Sequence, residues 1–596
     1  MFALAAVALT WWESRHPSGK WDWGIHKLRH RFKRSFPLAF LILAFLAFVG
    51  GAIYAPSNYD GLAYRTPRVL HWLAEGRWHW IHADYKALNP RAVGYEWVTA
   101  PLILFTRSYR LLFLVEIISF LLLPGLIFSV FTRLGVRPRV VWHWMWLLPT
   151  AYGFLLQAGS IGNDLFGAPL ALAALDFALR ARASQRSADA WLSILAAALL
   201  SGSKISNAPL LLPWLIAFFP SIPLLKNRLV TTLAVCVMGA VCSFLPMAVA
   251  NYEHGGDWTG FVAEGLSTER ESASMRAHAA HLALNPVILA LDNFVPPVFP
   301  LAGAWNRAVI KLVPKRLMDR LEKHCWDDQA HLVLGELQIE ETAGLGFGLS
   351  VLLVLSLMAA LKHAKMKAGD PISPTKRRVF WALLISPYFS LVTYMAESGL
   401  GAEVRLVLPY YGFIIPLLLI GESQARIIKA RWWKACAMAV FLLAGVPLIL
   451  TPARPLWPAQ RILSWFGHAA NPFVTRALAA YSVYAERPDC FAPVRRLLPP
   501  NVSVLGLITF DDPETSLWIP FGARRVEQVT PTDSPADLRR RGINYVLISS
   551  GGYKLLYSEP LEKWMAQHNA ELTETFSLRL RASQDPMDWF LVRIKE

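Results

Sequence analysis

The chain has 596 residues, 55% hydrophobic and only 17% charged, with mean hydropathy +0.36, which excludes an ordinary water-soluble globule and turns much of the surface toward lipid. A formal charge of +17 would suit nucleic acid, but in a membrane protein rich in Trp (24) and Phe (32) it reads as basic cytoplasmic loops with aromatic interface belts. The five cysteines (Cys236, Cys242, Cys325, Cys436, Cys490) form no C-x-x-C pair, so a zinc ribbon and a disulfide-stapled scaffold are excluded as well.

Residues 1–12 are apolar but too short to cross a bilayer, and 1–35 read as a cytoplasmic or interfacial segment. Apolar runs follow at 36–55, 109–131, 140–158, 162–180, 206–224, 229–250, 344–362, 379–396, 404–421 and 435–451, with a shorter one at 189–203 that pairs with 206–224 as a hairpin. The expectation is about eleven membrane helices. Segment 27–34 (KLRHRFKR) is basic and places the N-terminus in the cytoplasm. Counting from there, every inner loop (132–139, 181–188, 225–228, 363–378, 422–434) is basic too. The long loop 251–343 falls outside, and from 251 to 341 it carries eight Lys/Arg against thirteen Asp/Glu. Residues 94–106 would break this alternation if they crossed, so they are expected to lie on or dip into the outer leaflet, with Tyr95 and Trp97 as anchors.

Beyond 451 the composition changes. Short β-rich runs at 503–509, 524–530, 544–550, 573–581 and 588–594, separated in part by helical stretches, predict a small α/β domain over 452–596, outside the cytoplasm. The whole is an α-helical polytopic membrane protein, with a transmembrane domain over 36–451, outer loops 56–108 and 251–343, and an α/β appendage.

Ionisable residues gather where spans open onto the outer face. Asp60 follows the first span in Pro56-Ser57-Asn58-Tyr59-Asp60-Gly61-Leu62, and Asp164 opens the fourth in Gly162-Asn163-Asp164. Each is either a helix N-cap or a working carboxylate: a general base toward a hydroxyl, or a ligand orienting a metal. Glu96, in 94–106, joins Asp164 as an acceptor or metal candidate. Lys204, in Ser201-Gly202-Ser203-Lys204, lies between apolar helices and either meets an anion or snorkels. Arg405, before the tenth span, offers a planar donor fork suited to phosphate, or pairs with Glu397 or Glu403. Four such residues from four turns on one side predict a site for an anionic headgroup beside a base. His324, Asp327, Asp328 and His331 read as an exposed polar helix before a metal site, and a Cys325–Cys490 bridge stays open.

In this order the motifs resemble the GT-C glycosyltransferases that use polyprenyl-phosphate sugars, among them protein O-mannosyltransferases and aminoarabinose transferases. The likeness rests on Tyr59-Asp60-Gly61 through Leu73, on Asn163-Asp164, Gly202-Ser203-Lys204 and Arg405…Pro409-Tyr410, and covers about residues 36–450. It implies transfer of a sugar from a polyprenyl-phosphate donor to an extracytoplasmic glycan, lipid or protein, with inversion. It also implies Asp60 as base, Lys204, Arg405 and Tyr410 on the donor phosphate, Asp164 on acceptor or metal, and a divalent metal as cofactor. The chain departs from relatives with two adjacent acids, since Gly61 follows Asp60, and it lacks their Pro-Pro before 94–106; both departures bear on metal dependence and acceptor type. The alternative is a transporter or flippase of a lipid-linked or anionic substrate. That class buries ionisable groups at mid-membrane and shows paired repeats, whereas here the intramembrane acids are few, Glu116 and Asp176 being the main ones, and no repeat is visible.

Overall fold

The computed structural model describes residues 32–595 apart from 86, 261–274, 297–301, 317–318, 320–336, 363–373, 398–403, 467–471 and 582–584. The cluster His324–His331, Cys325 and most of the basic segment 27–34 therefore lie outside the described residues.

Five described segments are helical, long and apolar enough to cross a membrane: Ser35–Ile53, Phe113–Arg133, Ile205–Cys242, Arg378–Glu397 and Arg431–Leu450. Three shorter apolar helices, Ser187–Ser203, Phe347–Lys362 and Val404–Leu419, stand with them. Asp164–Ser184 is also 21 residues long but carries Asp164, Asp176, Arg180 and Arg182. The count falls short of eleven unbroken helices because proline interrupts several apolar runs. The run 140–158 divides at Pro149 into Pro138–Leu147 and Tyr152–Gln157, and 206–224 becomes 3-10 turns flanking Leu211–Phe218, with Pro209 and Pro223 inside them. The run 229–250 divides at Ser243 into Leu229–Cys242 and Leu245–Gly255, the second opening on Pro246. A proline ring lacks the amide proton and crowds the preceding turn, so apolar length alone overstates helix length.

Large apolar side chains stand outside the bundle, among them Phe45, Ile53, Val230, Phe389 and Leu442, each more than half exposed. Helices apolar on every face have lipid as their outer solvent. The inner faces pack a continuous core in which the rings of Phe36, Trp433 and Phe441 meet. The helix Gly94–Thr106 spans thirteen residues, about 20 Å at the usual rise, and is too short for a layer of about 30 Å. It stays at the bundle's end, with Glu96 buried and Phe105 exposed.

The C-terminal region forms the α/β fold expected. Five strands, β1 (Val504–Ile508), β2 (Arg525–Gln528), β3 (Tyr545–Ser549), β4 (Ala570–Leu578) and β5 (Met587–Ile594), lie in the order β2-β1-β3-β5-β4. β1 is parallel to β2 and β3, and β5 runs antiparallel between β3 and β4. This sheet region sits directly on the first long loop. Thr515 Oγ1 donates to the Leu62 carbonyl (2.6 Å), and Arg487 Nη1 to the Ser57 carbonyl (3.0 Å). His71 Nε2 meets Glu514 Oε1 at 3.1 Å, and Arg525 pairs with Glu75. The turn carrying Asp60 is thus held between the membrane bundle and the sheet.

Candidate functional site

Asp60 enters a π-turn, Gly61–Arg65, that continues as the helix Thr66–Glu75. A π-turn brings residues five apart over one another, and Arg65 Nη2 accordingly lies 3.4 Å from Asp60 Oδ2. The carboxylate does not cap the helix: Asn58 Oδ1 accepts from the Gly61 amide (2.8 Å) and does that work. A Cβ on Gly61 would stand 2.3 Å from Ile161 Cδ1, so a second acid beside Asp60 would require the Ile161 side chain to move.

Asp164 is relieved of capping in the same way. It is the first residue of Asp164–Ser184, and the following amide, Leu165, donates to Gln157 Oε1 at 2.8 Å. The other end of that amide, Gln157 Nε2, donates to Asp164 Oδ2 (3.0 Å). Lys204 is the one extended residue between the helix Ser187–Ser203 and the 3-10 turn Ile205–Leu210. Its Nζ reaches Asp164 Oδ1 at 2.5 Å, so it meets an anion instead of snorkelling. Arg405, in the 3-10 turn Val404–Val407, spans both acids: Nη2 is 2.8 Å from Asp60 Oδ2 and Nε is 3.9 Å from Asp164 Oδ2.

Four separate turns therefore converge as the sequence implies, with Arg65 added. Two carboxylates, Asp60 and Asp164, here meet three cations, Arg65, Lys204 and Arg405. Asp60 and Lys204 keep 24% and 20% of their side chains exposed, while Asp164 is closed off at 1%, so the opening offers a carboxylate beside an ammonium. Burial alone would push the Asp60 carboxyl up. Arg405, Arg65, Arg91 and Lys204 overcome it and hold the group well below the usual carboxylate range. Each acid is already neutralised by a cation, and among the described residues no three His, Cys, Asp or Glu side chains converge on one point. In this arrangement both carboxylates are engaged by cations, Asp60 by Arg405 and Arg65 and Asp164 by Lys204 and Arg405.

Two of the sequence candidates stand apart. Glu96 is buried against Arg68, with Oε1 3.4 Å from Nη1. Burial pushes its carboxyl up against the pull of Arg68 and Arg65. Arg68 in turn donates to the carbonyls of Ala87, Leu88, Arg91 and Ala92, so this pair fastens the first loop. Tyr410 is fully buried, and its hydroxyl donates to the Ser206 carbonyl (2.7 Å), bracing the Lys204 turn. Arg405 pairs with Asp60, and the alternative partners differ in standing: Glu397 approaches His278 at 4.0 Å, while Glu403 lies outside the described residues. Cys490 is a free thiol buried beside Ser516.

A buried bracket behind the cluster was not visible in the sequence. Glu340 Oε1 accepts from Asn58 Nδ2 (3.0 Å) and from Ser160 Oγ, while Oε2 pairs with Arg454, which also donates to the Leu156 carbonyl (2.6 Å). One carboxylate thus joins the Asp60 turn, the turn before Asp164 and the segment after the helix Arg431–Leu450. Next to it, Glu341 Oε1 accepts from the Tyr59 amide (2.7 Å). The only sequence signal was the pair Glu340-Glu341 just before a span. Removing one member of a buried ion pair leaves the other uncompensated, at about 3–5 kcal/mol. Glu340→Ala is therefore expected to lower the melting temperature of the purified protein sharply, and Glu340→Gln less, because its amide oxygen still serves Asn58 and Ser160. Equal melting of Glu340→Ala and wild type would show that the bracket is not structural.

No family model and no curated protein matches the chain. Among solved structures it is similar to ArnT from Cupriavidus metallidurans bound to undecaprenyl phosphate, at 15% identity and TM-score 0.41, covering 93% of this chain and 97% of that one. It is also similar to an Archaeoglobus fulgidus oligosaccharyltransferase in complex with Zn and sulfate, at 12% identity and TM-score 0.39, covering 87% and 69%. The archaeal oligosaccharyltransferase AglB from Archaeoglobus fulgidus, in complex with an inhibitory peptide and a dolichol-phosphate, gives 13% and 0.38, covering 87% and 70%.

Proposed function

We propose that the chain is an integral membrane glycosyltransferase that moves a sugar from a polyprenyl-phosphate donor to an acceptor hydroxyl, with inversion. The observation that carries this reading is Arg405 held between two carboxylates, within a cluster of three cations and two acids at the end of a lipid-facing bundle. A lipid phosphate delivers its anion at that depth, and planar guanidinium with ammonium is the donor set that receives it.

In this reading the donor phosphate takes Arg405 and Lys204. Drawing Arg405 away from Asp60 removes the main charge that depresses its carboxyl, so the base strengthens as the donor binds. The acceptor oxygen then attacks the anomeric carbon opposite the phosphate. Its proton passes to Asp60, and the breaking C–O bond leaves its electron pair on the phosphate oxygen, where Lys204 and Arg405 stabilise the charge. Asp164 holds Lys204 in place. Residues 36–451 form the transfer domain, and 452–596 form an extracytoplasmic domain that braces the Asp60 turn. The basic loops on the opposite side support a cytoplasmic N-terminus.

The test supplies purified protein, in lipid, with a panel of radiolabelled polyprenyl-phosphate sugars and acceptor-rich cell envelope, and follows release of the lipid phosphate. Release dependent on Asp60 supports the assignment and identifies the donor; consumption of no donor overturns it. The pH dependence follows from the charges. A depressed carboxyl in the free protein puts the acid limb of kcat/KM well below the usual carboxylate range. The acid limb of kcat, which reports the donor-bound state, is expected at higher pH. Coincident limbs would show that donor binding leaves Asp60 in its resting charge environment.

A further inference from the structure

A second positive site lies on the rim of the bundle, away from Arg405. Three membrane helices end there together: Ser35–Ile53 at its C-terminus, Phe113–Arg133 at its N-terminus and Arg431–Leu450 at its C-terminus. Between these ends and the sheet region is a cavity of about 510 Å³, with Ile53, Tyr54 and Ala453 on the bundle side and Ile519–Phe521 above. That volume suits a headgroup-sized ligand.

The lining carries Arg107 and Arg110, both exposed, and neither makes an ion pair among the described residues. Arg107 is seated against the sheet region, where a Cβ on Gly522 would stand 2.9 Å from its Nη1. Two residues further on is Arg524, whose Nε and Nη1 are buried without a hydrogen-bond partner. Burial and the neighbouring Arg495 both push its guanidinium down. The one acid of the lining, Asp489, is occupied by Arg495 through two contacts of 2.7 and 3.2 Å. The two arginines of the lining have no carboxylate partner among the described residues, and Arg524, just outside the lining, adds positive charge without one, so the cavity is short of an anion. The apolar side is equally plain. Ile53 is 59% exposed at the cavity, Leu111 42% exposed beside Arg110, and Phe105 83% exposed two residues before Arg107.

We propose that this cavity seats the phosphate of an anionic lipid headgroup, held by Arg107 and Arg110, with the acyl chains lying along Ile53 and Leu111. The occupant fixes the sheet region to the bilayer rim and so steadies the loop that carries Asp60. Free phosphate shares the headgroup chemistry but has no use for the apolar wall.

The test uses the full chain in nanodiscs of phosphatidylglycerol and phosphatidylcholine in equal parts, with lipid retention after release read by native mass spectrometry. Wild type is expected to retain phosphatidylglycerol preferentially. Arg107→Gln/Arg110→Gln is expected to retain about tenfold less, or lower still, since each basic side chain near a membrane surface contributes about a fivefold preference for anionic lipid. Arg107→Lys/Arg110→Lys keeps the charge and is expected to keep most of the retention, which separates lost binding from misfolding. Equal retention by wild type and the Gln variant overturns the site. Inorganic phosphate alone, added in detergent, that stabilises wild type as fully as phosphatidylglycerol does overturns the lipid as occupant.

Discussion

Asp60→Asn is expected to lower transfer by about 10²–10⁴-fold, the range for losing a positioned general base, and at the same time to tighten donor binding. The two effects share one cause. In the proposed mechanism Asp60 is the base, and it is also the anion that pairs with Arg405 (2.8 Å) and Arg65 (3.4 Å). An uncharged amide of the same shape releases both guanidiniums to the donor phosphate. Turnover and affinity should therefore move in opposite directions, with kcat down and the donor dissociation constant down. A structural defect would lower kcat and weaken donor binding together. Full turnover by Asp60→Asn would take the base away from this residue.

Arg405→Ala is expected to give the opposite signature on affinity. Transfer should fall by about 10²–10³-fold for the loss of one charge-stabilising donor group, and donor binding should weaken. Arg405→Lys should recover only part of either. A single ammonium cannot sit 2.8 Å from Asp60 while also approaching Asp164, as the two nitrogens of Arg405 do at 2.8 and 3.9 Å. The double variant Asp60→Asn/Arg405→Ala should lose less than the product of the single losses, since each removes part of the same pair. Losses that multiply would mean that the two residues act separately, and that their contact is a feature of the resting state without a part in the reaction.

The site was legible where its residues sit at the ends of apolar runs. Asp60, Asp164, Lys204 and Arg405 each interrupt or border such a run, and an ionisable group there stands out against its surroundings. Capping was the rival explanation for both acids, and local sequence could not decide it. The decision came from Asn58 and Gln157, which take the amides the acids would have capped. Arg65 was hidden by register: an α-helix turns residue i+5 away from residue i, and only the π-turn brings it over Asp60. Glu340 and Arg454 were beyond reach, because their partners are distant in the chain and a single Glu or Arg near a span end carries no pattern. Helix type and place were readable from hydropathy, but helix length was not, since Pro149, Pro223 and Pro246 divide runs that hydropathy joins. β1, β3 and β5 were readable as short apolar bursts between polar turns, whereas the polar, exposed β4 (Ala570–Leu578) lies three residues before the expected run 573–581.

The strand order bears on how the protein is made. β5 follows the other four strands in the chain, yet it is an interior strand, with β3 bonded on one side and β4 on the other. Every helix of the bundle can be inserted before the sheet has its fifth strand. A nascent chain stopped short of Met587 would carry all four charged turns but lack the strand that joins β4 to the rest. The contacts of Thr515, Glu514 and Arg487 with the first loop depend on that region's packing. The region that β5 completes is thus the same one whose Thr515, Glu514 and Arg487 hold the loop carrying Asp60.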